Sequence, residues 1–123
     1  MTITDTEFSR LVDVGFAAAH RGEVALAREL FEPLLRYKDS APARIGLALT
    51  YLVSGDFARA ESILKDEVLA KNPADAEALA LLGLNQTLAG HAEEGAALLE
   101  RVPKESAGGK LVAALSALPT LSR

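Results

Sequence analysis

His20 and His91 are the two imidazoles of the chain, and no cysteine accompanies them. Each sits beside a glycine-containing turn, far from the other in sequence, so they form no pair at helical spacing for a metal. The adjacent acids Asp66-Glu67 and Glu93-Glu94 carry the groups needed for general acid and base work, but neighbours on a helix point to different faces. Gly108-Gly109-Lys110 has the look of the end of a phosphate loop. It lacks the upstream glycine at the required spacing, a following Ser or Thr, and a preceding strand. The absence of cysteine excludes thiol catalysis, thiolate metal sites and a disulfide framework. These residues read as solvated turns, helix surface and a flexible hinge. The sequence assembles no nucleophile, base and oxyanion donor, which predicts a protein that is not an enzyme and holds no cofactor or metal.

The elements that carry these residues are helical. At 123 residues, half of them hydrophobic, the chain is long enough to bury one continuous core, and residues 1–123 read as a single domain. Seventeen acidic against thirteen basic side chains give a net charge of -4, without a dense basic run, which argues against a nucleic-acid partner. The first ten residues, MTITDTEFSR, are polar and acidic. The longest nearly apolar run, Ile45 to Val53, is interrupted by Thr50 and too short to cross a bilayer. The expectation is a soluble, cytoplasmic protein with no membrane insertion.

Helix boundaries follow from capping and breaking residues. Thr4-Asp5-Thr6-Glu7 has the capping-box form and predicts a first helix from Thr4 to about His20. Val24, Ala27, Leu30, Phe31 and Leu34 give the apolar stripe of a second, in which Pro33 predicts a bend near Glu29 to Pro33 or an early stop. Ser40 caps a third helix with Pro42 in its first turn, and Gly55-Asp56 ends that helix and caps a fourth running to about Lys71. Asn72-Pro73 predicts a fifth from Pro73 to near Gly90. A sixth covers about Ala92 to Val102, and KLVAALSAL, Lys110 to Leu118, reads as a last short helix stopped by Pro119.

These helices repeat. Gly22, Gly55 and Gly90 are 33 and 35 residues apart, and Gly15, Ala48 and Gly83 each stand seven residues before one of them. Ala27, Ala60 and Gly95 follow five residues after each turn glycine, and Phe31, Leu64 and Leu99 four residues further on. The small positions let paired helices approach closely, and the larger ones fill the space between pairs. On these residues the chain resembles the tetratricopeptide repeat, a helix-turn-helix unit with a period of ~34 residues. The resemblance implies an all-α, right-handed solenoid of three repeats, at about 8–40, 41–73 and 74–103, closed by a capping helix at 110–118. The departures are Leu11, Arg44 and Leu79 in place of the usual first-helix tryptophan, Gly95 in place of alanine, and a difference of about one residue in the second helix of the middle unit.

In such an array the first helix of each unit lines a groove. The matching residues are Ser9, Val12, Phe16 and Ala19, then Pro42, Ile45, Leu49, Leu52 and Val53, then Glu77, Ala80, Leu84, Thr87 and Leu88. The partner-binding candidates are Val12, Phe16, Ala19, Ile45, Leu49, Leu52, Val53, Ala80, Leu84 and Leu88. A groove this apolar requires a cover, and an amphipathic helix or apolar segment of a client protein fits. The alternative occupants are the C-terminal helix, or a second copy of the chain in a homodimer or scaffold. The chaperone-binding repeats that clamp a terminal carboxylate use Lys, Asn and Arg at positions held here by Val12, Phe16, Gly46, Glu77 and Leu81, so no positive clamp exists.

A narrower resemblance lies in the order Leu11, Gly15-Phe16, Gly22-Glu23-Val24, Ala27, Phe31, then Ala43-Arg44-Ile45-Gly46-Leu47-Ala48 and Gly55-Asp56-Phe57. It is similar to the small tetratricopeptide chaperones of bacterial type III secretion, which implies a cytoplasmic chaperone for a needle or translocator subunit.

Overall fold

Thr4 begins the fold. Its hydroxyl accepts a hydrogen bond from the Glu7 amide, the Glu7 carboxylate accepts one from the Thr4 amide, and α1 (Asp5–His20) follows from this reciprocal cap. The computed structural model describes residues 2–106 and Gly109. Among them all regular structure is helical: α2 (Val24–Tyr37), α3 (Ala41–Val53), α4 (Phe57–Ser62), a π-helical continuation Ile63–Leu69, α5 (Ala76–Leu88) and α6 (Ala92–Glu100). The expected capping helix at Lys110 to Leu118 lies outside the described residues. Gly22, Gly55 and Gly90 take φ of 79°, 82° and 96° in the turns after α1, α3 and α5, a left-handed conformation in which a Cβ is strained. The chain folds back at each.

Three boundaries differ from those the sequence predicts. The second helix runs through Pro33 to Tyr37, so of the two outcomes expected there, a bend or an early stop, the early stop does not occur. Pro33 is exposed, so the carbonyl it leaves unpaired can turn outward, while the turn beyond it is held by tertiary contacts. Leu34 is buried, Tyr37 packs on Phe8 with ring centroids 6.3 Å apart, and the Ile3 amide donates to Tyr37 Oη at 3.2 Å. The fifth helix starts at Ala76, not Pro73. Asp75 is its cap, accepting from the Ala78 amide at 3.0 Å, whereas Asn72 and Pro73 belong to a turn closed by the Asp75 amide on the Asn72 carbonyl. The fourth helix changes register after Ser62, and the Ala70 amide reaches back five residues to the Lys65 carbonyl. A π turn is an α turn holding one extra residue, which accounts for the length departure of the middle unit.

The chain divides into two compact units, with the boundary between Ile63 and Leu64. In the first, α2 packs on both α1 and α3, and α1 also meets α3. Its core holds Phe8, Val12, Ala18, Ala19, Ala27, Phe31, Leu34 and Ala43. Tyr51 has two cations at its ring, Arg28 4.1 Å and Arg59 5.2 Å from the centroid, and Arg28 also donates to Ser54 Oγ at 2.8 Å. In the second unit α5 packs along α6, and eight of its thirteen residues are buried. There Gln86 is buried and donates through Nε2 to both oxygens of Glu94, at 3.0 and 3.1 Å.

Candidate partner-binding face

On α1, residues Phe8, Val12, Gly15 and Ala19 turn into the core, and the next stripe round the helix is Ser9, Asp13, Phe16 and His20. Phe16 is half-buried and meets Phe31 edge-on, with centroids 5.6 Å apart and planes at 80°. Phe31 is fully buried in a slot between two glycines: a Cβ at Gly15 would lie 2.6 Å from its Cζ, and one at Gly46 would lie 2.2 Å away. One aromatic ring from α2 thereby sets where α1 and α3 present their outer stripes. On α3 that stripe is Pro42, exposed, Leu49, half-buried against the core, and Val53, 44% exposed. Of the other predicted residues in this unit, Val12, Ala19, Ile45 and Leu52 are buried and belong to the core more than to the surface.

The second unit is more selective. Every residue of α5 left unburied, Ala76, Glu77, Leu84, Thr87 and Leu88, falls on one side of the helix, and Leu88 is 45% exposed. The predicted Ala80 is buried among Leu79, Val102 and their neighbours. The α5–α6 crossing depends on glycine: a Cβ at Gly95 would lie 2.2 Å from Thr87 Oγ1 and 2.7 Å from the Gly83 carbonyl oxygen, and one at Gly83 would lie 2.7 Å from Leu99 Cδ2. The turn glycines, the small residues at the crossings and the large residues packed on them recur in helix pairs, and the family model of the tetratricopeptide repeat matches residues 54–118, more than half of the chain. The chain belongs to the tetratricopeptide repeat family. No curated protein and no solved structure gives a significant match to it.

Tetratricopeptide repeats are protein-interaction modules and typically non-catalytic, and the chemistry on the described surface is that of contact. His20 and His91 are exposed, and no group of three or more His, Cys, Asp or Glu is placed to hold a metal among the described residues. Glu93 and Glu94 diverge as adjacent helical residues must: Glu94 turns to Gln86 and to Lys65, whose Nζ donates at 3.3 Å, while Glu93 is exposed. The Gln86 hydrogen bond, assisted by Lys65, holds the Glu94 carboxyl below the usual carboxylate range. Lys38 does the same for Asp5, and the Thr4 cap for Glu7. Of these groups, His20 alone is on one of the first-helix stripes given above. No described helix is long and apolar enough to cross a membrane.

Gly46 is the residue whose role the sequence left unread. In the sequence Gly46 stands out only as a position where a clamp would place a cation, and its spacing from Phe31 carries no signal until the two helices are paired.

Proposed function

We propose that this tetratricopeptide repeat chain is a non-catalytic capture module. Its first-helix stripes take up an amphipathic helix or apolar segment of a partner protein. The observation that carries the reading is the α5 surface, where the one unburied side of an otherwise buried helix bears the half-buried Leu84 and the exposed Leu88. In the first unit Phe16, Leu49 and Val53 are the corresponding accessible side chains, while Val12, Ala19, Ile45 and Leu52 are buried. Each buried anchor from a partner contributes ~1.5 to 3 kcal/mol against an association cost of roughly 4 to 15 kcal/mol, so several must engage together. The narrower form of the proposal is a chaperone for a secreted needle or translocator subunit of type III secretion, supported by the resemblance of residues Leu11 to Phe57.

The test is co-purification with and without charge on the exposed anchors. Val53→Glu with Leu88→Glu leaves the core untouched, so helicity should persist while a partner recovered in near-equal amount with the wild-type chain is lost. Retention of the partner by this double variant would sink the face assignment. A second reading, self-association as a scaffold, is favoured by apolar exposure elsewhere on the first unit. Val14, Leu26 and Tyr37 are 51%, 45% and 42% exposed, and an apolar cleft of about 250 Å³ opens among residues that include Leu11, Leu30, Pro33 and Tyr37. It predicts a concentration-dependent mass for the chain alone, abolished by Val14→Lys with Leu26→Lys.

A further inference from the structure

Taken unit by unit, the first-helix stripes carry acidic side chains and no Lys or Arg, with His20 the one imidazole on that of α1. On α1, Asp13 stands one turn from the half-buried Phe16, and on α5 the unburied side sets Glu77 in line with Leu84 and Leu88. The α3 stripe of Pro42, Leu49 and Val53 is uncharged, and no Lys or Arg occurs on any of the three. Both acids are exposed, and among the described residues neither makes a hydrogen bond or ion pair. Four cations elsewhere are engaged, Arg21 with Glu23, Lys38 with Asp5, Arg44 with Asp39 and Lys65 with Glu94, and the exposed Arg10 stands off the stripe, three residues before Asp13 on α1. Glu77 lies in the first turn of α5 and gains from the helix dipole, but Asp13 is deep within α1, where the dipole gives it no such reason. Each unit, by itself, sets one uncommitted carboxylate beside its accessible apolar side chains.

We infer that the segment taken up is a cationic amphipathic helix, whose apolar side chains seat on Phe16, Leu49 and Val53 or on Leu84 and Leu88 while a flanking Lys or Arg meets Asp13 or Glu77. This rests on the capture reading above and adds the partner's charge to it. A helix with acids at those flanks brings like charges together at the edge of an apolar contact, where water is being excluded, and is rejected. The net charge of -4 steers the cationic helix in the same sense over longer range.

Three synthetic helical peptides with the same leucines at helical spacing, and lysine, glutamine or glutamate at the flanking positions, separate the terms. Their affinities for the intact chain are read by fluorescence anisotropy at low and high ionic strength. The lysine peptide should bind about three- to tenfold more tightly than the glutamine peptide, the scale of an exposed ion pair or two, with the glutamate peptide weakest and the differences shrinking in salt. Asp13→Asn with Glu77→Gln should bring lysine and glutamine peptides to within about twofold, the limit at which exposed pairs become unmeasurable. Glu29→Gln with Glu93→Gln removes the same charge from exposed positions off the stripes, one in each unit, and should leave the preference intact. Equal binding of the three peptides overturns the inference and leaves the capture reading standing, as does loss of the preference in the off-stripe pair. Binding of none of them overturns both.

Discussion

Gly46→Ala should destabilise the protein, although alanine is the better helix former. A Cβ at this position would lie 2.2 Å from Phe31 Cζ and 2.5 Å from Cε1, while carbon atoms in contact prefer separations of ~3.5 to 4 Å. The ring would have to retreat by more than ~1 Å. Retreat is hindered, since the same end of the ring also lies against Gly15, where only the missing Cβ leaves room, and the ring is wholly buried. Overpacking of this kind costs about 1 to 3 kcal/mol, and the gain in helix propensity returns up to ~1 kcal/mol. At an approach of 2.2 Å the upper part of that range applies, about 2 to 3 kcal/mol, so the net loss is about 1 to 2 kcal/mol, or roughly 4 to 10 °C in the thermal midpoint of a chain this size. Thermal and urea unfolding followed by far-ultraviolet circular dichroism give the number. Phe31→Leu completes a double-mutant cycle: alone it removes buried contacts and costs stability, but in the Gly46→Ala background it makes room, and the coupling should reach about 1 kcal/mol. A Gly46→Ala variant that melts above the wild type, or a cycle that is simply additive, would refute the placement of the ring between the two helices.

Gly95→Ala, which installs the residue usual in the family, should likewise lower the midpoint, by about 1 to 3 kcal/mol of overpacking against Thr87 and the Gly83 carbonyl; Thr87→Ala should restore only part, because the backbone contact remains. Thr4→Ala should cost ~1 kcal/mol by removing the cap of α1, visible as a lower urea midpoint with an unchanged slope. Asp5, Glu7 and Glu94 all have carboxyls lowered in the folded state, so the stability they confer is complete above the ordinary carboxylate range near pH ~4 and is lost as pH falls through their folded-state values. Unfolding midpoints should drop on acidification, and less so in Glu7→Gln. Deleting Asp66 should be tolerated, because it returns the Ile63–Leu69 π turn to α register, whereas deleting Leu82 from α5 should abolish cooperative unfolding.

Much of this fold is legible in local chemistry. The Thr4 box, the Ser40 and Asp56 caps and the three left-handed glycines act within four residues of themselves, so their sequence patterns carry their structural meaning. The misread boundaries each involve a distant partner or a competing local one. Pro33 does not end α2 because Tyr37 is tied to Phe8 and Ile3, residues of another helix and its lead-in. Asn72-Pro73 offers a good cap, but Asp75 offers another three residues on, and a turn claims the first. The candidate face follows the same division. Repeat alignment finds which stripe of each first helix is in question, and for α5 that stripe coincides with the unburied side. It does not separate the exposed Val53 and Leu88 from the buried Ile45 and Ala80, because that depends on how closely neighbouring helices approach.

All six aromatic rings, Phe8, Phe16, Phe31, Phe57, Tyr37 and Tyr51, precede the Ile63–Leu64 boundary, and the chain has no tryptophan. Tyrosine emission and the near-ultraviolet spectrum are thus optical reporters of the N-terminal unit alone, Tyr37 through its contact with Phe8 and Tyr51 through its two guanidinium neighbours. The amide band records both units. Following one unfolding experiment at both wavelengths therefore measures cooperativity without any label: superimposable curves mean a single transition, and an amide change that continues after the tyrosine signal has levelled off is the C-terminal unit melting on its own.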